Sequence, residues 1–416
     1  MKFQRPKGTK DILPRDIGKW HYVEKTIMEV MNLYNFSEIR TPTFELTELF
    51  TRGVGSETDI VGKEMYTFVD KGGNSITLKP EMTAPVARAY VENSLQAEAP
   101  LQKLFYISNM FRYEKPQEGR YREHTQFGAE ILGTDDVNSD IEIILLAKEV
   151  YNRCGINNFK VRINSIGRLE ERKNYIQLLK SYLSNHINEL SNDSKRRLEN
   201  NPLRILDSKD KKDIEIVSSA PKILEHLDAA SRSRFDKVID GLNKLGVSCE
   251  IDFKLVRGLD YYTDTTFEFV SEDLGSQDAI GGGGRYDGLV ETVGGKPTPG
   301  IGFASGIERV ILVAERNNFK FPGLTPLKIY LAALTAEAKE TASQLCLELR
   351  KNGIKCEMDF IGKSLKAQMR EANKQNAEYV YMIGESELQN GKGILKKMSD
   401  GSQKDILFDK LKENLE

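Results

Sequence analysis

The stretch MFRYEKPQEGRYREHTQFGAE, residues 110–130, decides how this chain is read. Two apolar runs, LFYISNMFRYE and HTQFGAEILG, flank the polar segment KPQEGRYRE, the pattern of a β-hairpin with a long charged loop. Arg112, Arg120 and Arg122 crowd that loop beside Glu114 and Glu123. Arginine suits bidentate contact with phosphate oxygens, and flanking strands would hold its planar fork still. A solvated hairpin tip with alternating charges gives the same pattern without any ligand. The stretch by itself leaves both readings open.

Upstream, Ile17, Trp20, Val23, Ile27, Val30, Met31 and Tyr34 recur at helical spacing and predict a helix over 17–34, with Asp16 as its N-cap. FSEIRTPTFE (36–45) reads as a strand interrupted by Pro42, which cannot donate to a ladder and so implies an edge or an interface. A helix follows Pro80 through EMTAPVARAYVENSL, another covers 140–151, and FKVRIN is a strand. Residues 168–245 are charged and helical in pattern, a helical insertion.

Strands resume at CEIDF and YYTDTTFEFV, followed by the glycines 281–284 and a helix in SGIERVILVAER. Hairpin links outnumber βαβ units, so an antiparallel sheet with helices alongside is expected. After FPGLTP the pattern changes to KIYLAAL, helix, IKCEMDF, helix, YVYMIG, the alternation of a small α/β domain. The expected fold is thus α+β: a domain over 1–324 with its insertion at about 168–245, and a second, α/β domain over 325–416.

Composition bounds the function without naming it. The 416 residues are 39% hydrophobic and 29% charged, ample for globular cores. No apolar run is long enough to cross a bilayer, and the N-terminal segment lacks the apolar centre of a secretory signal. No membrane association is expected, and the expected location is cytoplasmic. Cys154, Cys249, Cys346 and Cys356 stand far apart with no CxxC pair, so no metal ligand set is predicted. A net charge of -2 decides nothing about nucleic acid, because a local basic face is what matters.

Three further segments carry chemistry. LVRGLDYYTDTTFEF (255–269) sets an arginine, an aspartate and two tyrosines at the head of a strand; a tyrosine-rich core strand with one ion pair reads the same way. AIGGGGRYDGLVETVGG (279–295) removes Cβ atoms where a backbone could approach a ligand, or it is a tight turn or bulge. It matches neither the P-loop nor the dinucleotide fingerprint. GIGFASGIERVIL (300–312) places Glu308 and Arg309 in the first turn of a helix, where a cation can meet an anion, or simply form a surface charge pair.

The order of these segments resembles motifs 1, 2 and 3 of the class II aminoacyl-tRNA synthetases: a strand with Pro42, then FRYE…GR…Q, then GIGFASGIER. LVRGLDYY and GGGGRYDGL resemble the two segments peculiar to histidyl-tRNA synthetases, and KEMYTF, LKPEMTA and NPLRILDSK are similar to that family too. The resemblance implies ATP-dependent activation of L-histidine and its transfer to tRNA(His), with Mg²⁺ accompanying ATP. It implies Arg112 and Arg257 at the α-phosphate and the substrate carboxylate, with Arg257 as a fixed cation. Arg120 and Arg309 would embrace the outer phosphates, and Glu114 would read the adenine amino group. Histidine would be held by Glu81, Met82, Thr83 and Gln126 near its ammonium and by Glu130 and Tyr262 at its imidazole, with Tyr261 lining the pocket. The family often has Phe where this chain has His124, the expected adenine platform, and more often Arg and Gly at Lys79 and Met82. The C-terminal domain resembles the anticodon-binding domain of class IIa enzymes, and a homodimer is implied.

Two rivals share parts of this pattern: a non-catalytic, synthetase-like regulatory subunit of ATP phosphoribosyltransferase, and an adenylate-forming enzyme that does not use tRNA. Both are expected to lack either the charging residues or the anticodon domain. This chain keeps Arg112, Glu114, Arg257, Arg309 and a full C-terminal domain.

Overall fold

The computed structural model describes residues 3–55, 58–275, 278–323 and 325–415. They fall into two compact units, Met1–Phe321 and Pro322–Glu416. The first unit holds strands β1 (Ser37–Glu38), β2 (Phe44–Leu46), β3 (Tyr66–Val69), β4 (Ser75–Leu78), β5 (Gln102–Phe111), β6 (Glu123–Leu132), β7 (Lys160–Ser165), β8 (Cys249–Ile251), β9 (Thr263–Val270), β10 (Ala279–Arg285) and β11 (Gly300–Gly306). Eight of these form one sheet in the order β1-β5-β6-β11-β10-β9-β7-β8, and β2-β4-β3 form a small second sheet.

Pairing in the large sheet is antiparallel except at its two edges, where β1 runs parallel to β5 and β8 parallel to β7. The hairpin β5-β6 takes the second and third places in the strand order of that sheet, with Met110 opposite His124 and Leu104 opposite Glu130. Pro42 divides its segment more sharply than expected: 36–45 is not one strand but β1 and β2, each in a different sheet. The glycines 281–284 are neither turn nor loop. They form the middle of strand β10, with register shifts against β9 at both ends.

Side chains alternate across a strand, and here that alternation sorts the core. Phe127, Ala129 and Ile131 of β6, Phe267 and Phe269 of β9, and Ile301 and Phe303 of β11 pack into one apolar cluster. It is covered by the helices Ile17–Leu33, Val137–Arg153, Ala229–Lys244 and Ile307–Arg316, through residues such as Val23, Ile27, Ile144, Val150, Val238 and Val310. Each large apolar side chain taken out of water there contributes roughly 1.5–3 kcal/mol. Asp136 caps the second of these helices, its side chain accepting from the Asn138 N–H at 2.7 Å. Asp16 stands at the expected N-cap of the first helix but makes no side-chain capping bond, and that helix stops at Leu33, ahead of Asn35 at φ 59°.

The insertion is helical, with Leu169–Ser184, Asn192–Asn200 and Lys211–Ser218, the last two joined through Asp213. That carboxylate accepts from the hydroxyls of Ser191, Ser194 and Ser208 at 2.6–2.7 Å. In the second unit β12 (Ile329–Ala333), β13 (Cys356–Met358) and β14 (Tyr379–Ile383) are parallel, as the alternation predicts. An antiparallel pair not foreseen, β15 (Lys392–Lys397) and β16 (Gln403–Leu407), extends that sheet beyond β14.

At the end of β10 the guanidinium of Arg285 is fully buried. It donates to Asp140 at 2.9 Å, Asp287 at 3.0 Å and the Ser139 hydroxyl at 2.8 Å, pinning the long helix to the sheet. Removing one member of a buried pair strands the other charge. Asp140→Ala is therefore expected to lower the unfolding free energy by roughly 3–5 kcal/mol, measured by urea denaturation. A loss well under 1 kcal/mol would show that Arg285 finds other compensation.

Candidate active site

The positions that alternate with the apolar cluster lie on the opposite face of the same sheet, and they are polar. Beyond β5 Arg112 lies here, and along β6 His124, Gln126 and Glu130; β9 contributes Glu268. A cavity of ≈ 220 Å³ is lined by Arg112, Glu114, Arg120, His124, Gln126, Arg257, Glu268, Glu308 and Arg309, with the backbone of β10 and β11 as its floor. Seven of the residues singled out from sequence thus share one cavity.

Each arginine is fixed from behind. Arg112 donates from Nε to the Pro80 carbonyl at 2.7 Å. Arg120 pairs with Glu114, and Arg257 with Glu268. Arg309 donates to the carbonyls of Gly119, at 3.3 Å, and Ala279. Burial and the adjacent Arg120 pull Arg309 below the ordinary guanidinium range, so an anion in the cavity would relieve it. Arg122, crowded with the others in sequence, is elsewhere: its guanidinium lies 3.7 Å from the Tyr113 ring centroid, and it donates to the Glu114 carbonyl.

The cavity walls also hold polar atoms with no hydrogen-bond partner among the described residues: His124 Nδ1, Gln126 Oε1 and Arg257 Nε, all buried. Such groups are uncommon in a finished core and are expected where a ligand completes the set. Glycine makes the floor possible: a Cβ on Gly282 would come within 2.9 Å of Arg257 Nη1 and 2.7 Å of the Phe267 carbonyl.

A second group, on the same sheet face, is linked by hydrogen bonds. The Glu81 carboxylate accepts from the backbone N–H groups of Thr83 and Ala84 at 2.8 and 2.9 Å, at the start of the helix Thr83–Glu92, and from the Tyr261 hydroxyl at 3.4 Å. The Thr83 hydroxyl donates to Glu130 at 2.9 Å, where the hydroxyls of Tyr286 and Tyr106 also converge at 2.6 and 3.4 Å. Burial pushes Glu130 up to about 8 and outweighs the pull of the hydroxyl donors. Gly302 is required beside it, since a Cβ there would sit 1.7 Å from Glu130 Oε2. Tyr262 is hydrogen-bonded to Arg257, which links the two groups. Met82 is buried in the apolar cluster with Tyr261 and Tyr262, its sulfur accepting from the Thr41 hydroxyl at 3.4 Å.

Tyr106, Tyr286 and Glu268 were not foreseen. Glu268 carried a usable signal, a lone charge between Phe267 and Phe269 on a strand. Tyr106 lies at even spacing from Arg112, which puts it on the same face. Glu308 also does more than expected. It accepts from the Thr125 N–H at 2.9 Å, joining the last helix of the unit to β6, and burial raises it to about 7.

This architecture, with an arginine-lined antiparallel sheet and a separate α/β unit, is the arrangement expected of class II aminoacyl-tRNA synthetases. A family model described as histidyl-tRNA synthetase matches residues 8–310, and one described as anticodon binding domain matches 326–416. A histidine–tRNA ligase of Acetivibrio thermocellus is 48% identical over 411 residues, 99% of both chains. One from Chloroherpeton thalassium is 49% identical, covering 98% of this chain and 96% of that one. The crystal structure of apo histidyl-tRNA synthetase from S. aureus superposes with a TM-score of 0.84 at 36% identity over the whole of both chains. The chain belongs to the histidyl-tRNA synthetase family.

The environment of His124 makes a prediction about pH. Burial, and next the charge of Arg112, hold its imidazole down at about 3 against an ordinary 6.5. The folded ring stays neutral where the unfolded chain takes up a proton, so this residue's contribution to stability falls as pH drops below about 6.5. His124→Phe removes that loss. Relative to the unaltered protein, the variant is expected to gain about 2 kcal/mol between pH 7 and pH 5, read from urea unfolding at the two values. An unchanged difference would mean that the ring titrates normally.

Proposed function

We propose that this protein joins L-histidine to tRNA(His) in two steps at the cavity between β6, β10 and β11. The observation that carries the reading is the sharing of one sheet face by an arginine-lined cavity and a buried carboxylate–hydroxyl group. First, a carboxylate oxygen of histidine attacks the α-phosphorus of ATP. The bond to the bridging oxygen breaks, and pyrophosphate leaves with Mg²⁺, which enters with ATP as part of that substrate. Then the terminal adenosine hydroxyl of the tRNA attacks the activated carbonyl carbon, and AMP departs. Charge gathers on the phosphate in the first step, so fixed cations are the main requirement.

Arg112 and Arg257 are assigned to the α-phosphate and the histidine carboxylate, and Arg120 and Arg309 to the outer phosphates. Glu114 is assigned to the adenine amino group and the neutral ring of His124 to its face, a contact that a charged imidazole would make less well. Glu81, Thr83 and Gln126 take the α-ammonium, with Met82 beside them, while Glu130 and Tyr262 face the imidazole and Tyr261 closes the pocket. A carboxyl group and a phenol can serve the donor and the acceptor of imidazole together. An amino acid lacking those nitrogens would leave both unpaired, which is how such a pocket rejects it. The regulatory reading is set aside by full-length relatives named as ligases.

Histidine-dependent ATP–pyrophosphate exchange, followed by charging of tRNA(His), tests the function directly. Arg257→Ala removes one preorganised cation, a loss worth about 3 kcal/mol or more. The exchange rate is therefore expected to fall by at least a hundredfold or so, with the melting profile unchanged. Exchange near the starting level would overturn the role given to Arg257.

The second unit is assigned to the tRNA anticodon and the first to dimer formation. Phe44, Leu46 and Phe68 of the small sheet expose apolar side chains next to Pro42, which supports a homodimer contact there. A chain ending at Phe321 is expected to keep exchange activity, to charge tRNA poorly and to sediment as a dimer. Unimpaired charging would remove the tRNA role from the second unit, and a monomer with full exchange activity would remove the dimer from the first.

A further inference from the structure

The loop 257–262, which carries Arg257, Tyr261 and Tyr262, is not held by the sheet alone. Its outer side rests on the helical insertion. Arg172, in the first turn of the helix Leu169–Ser184, donates from one Nη to the carbonyls of Asp260 at 3.2 Å and Tyr262 at 2.5 Å. Asn201, at the junction of the helix Asn192–Asn200 with the turn Pro202–Ile205, donates from Nδ2 to the Asp260 carboxylate at 3.1 Å. Arg204 lies against Gly258, where an added Cβ would approach its Nη1 to 3.2 Å.

The other side of the same loop is tied to the first unit's N-terminal part. The Asp260 N–H donates to the Val54 carbonyl at 3.0 Å. At Gly55, φ +105°, a side chain is excluded because its Cβ would lie 2.4 Å from Asp260 Oδ2. Arg197 and Arg204 each reach Asp59 at 3.6 Å, closing the ring between the insertion and that segment. Asp260 is thus the joint at which three pieces of chain meet, and two of its neighbours in sequence are pocket residues.

We infer that Arg172 and Asn201 of the insertion are positioning residues for the amino-acid pocket, setting Tyr261 and Tyr262 through the backbone and carboxylate of Asp260. This rests on the assignment of those tyrosines to the histidine pocket. The insertion is then a wall of the specificity site, although it contributes no side chain to the chemistry. A loop freed on that side samples more conformations, and the pocket loses preorganisation for histidine before it loses anything for ATP.

The test is steady-state ATP–pyrophosphate exchange on the full chain, with each substrate varied in turn. Asn201→Asp, which sets two carboxylates against each other, and Arg172→Gln are each expected to raise the histidine KM roughly three- to ten-fold, the worth of one net hydrogen bond. The ATP KM should move less than about two-fold. Joining Asn201→Asp with Asp260→Asn exchanges donor and acceptor and is expected to restore the histidine KM; a role in fold stability alone would move the melting temperature and leave that KM unchanged in Asn201→Asp. Should Arg172→Gln fail to fold, the Asn201 pair decides alone. Tyr262→Phe serves as the control for the pocket itself. A raised histidine KM in Tyr262→Phe with none in Asn201→Asp would overturn the inference and leave the pocket standing. An unchanged KM in Tyr262→Phe would take down the pocket assignment, and the inference with it.

Discussion

Everything at the site depends on the two-residue period of β6. Phe127, Ala129 and Ile131 go into the helix-covered core, which forces His124, Gln126 and Glu130 onto the other face. The same parity holds across the sheet because β5, β11, β10 and β9 are in register with it: Glu130 stands opposite both Leu104 and Gly302, and Gly302 opposite Gly284. A slip of one residue on β6 or β9 would turn a carboxylate, Glu130 or Glu268, into the apolar cluster and a phenylalanine, Phe127 or Phe267, toward the cavity. Burial of the apolar face therefore specifies the geometry of the polar one. The core and the site are two consequences of one pattern.

Glycine sets how closely that polar face can be furnished. At Gly282 and Gly302 the missing side chains leave the space taken by Arg257 and by the Glu130 carboxylate. A strand of four glycines has little packing of its own and loses more backbone entropy than most on ordering. Its neighbours on both sides hold it instead, by ladders to β9 and β11 and by the buried Arg285–Asp140 pair at its end. Stability is taken from one part of the sheet so that charged groups can approach another.

Much of this was legible in the chain. The hairpin, the insertion, the helices of the first unit and the parallel core of the second follow from periodicity, and seven of the singled-out residues meet in one cavity. What was not legible has physical reasons. Strands β15 and β16, KGILKK and QKDIL, are rich in lysine, and β16 is largely exposed, so little apolar alternation marks them. The glycine strand has a single β-branched residue, Ile280, where strands usually carry several, and its conformation is imposed by its partners. Tyr106 and Tyr286 are 180 residues apart in sequence, as the numbering shows, and they meet at Glu130 only through the register of the sheet. Contacts of that kind belong to the fold and leave no local trace.

The electrostatics of the cavity follow from the same placement. Four arginines line it, and they are set against Glu114, Glu268 and a Glu308 that burial raises to about 7. Two of the arginines rest on carboxylates and two donate to backbone carbonyls, so all four keep their positions without a ligand. Water can also stabilise a negative charge as it develops but has to reorganise to do so; side chains already fixed in place need not. Burial and the neighbouring Arg120 disfavour the positive charge of Arg309, and an anion held among the arginines would offset that cost. The neutral His124 beside the arginines belongs to this logic, since a protonated ring would add a fifth positive charge where a flat, uncharged face is what the site can still accommodate.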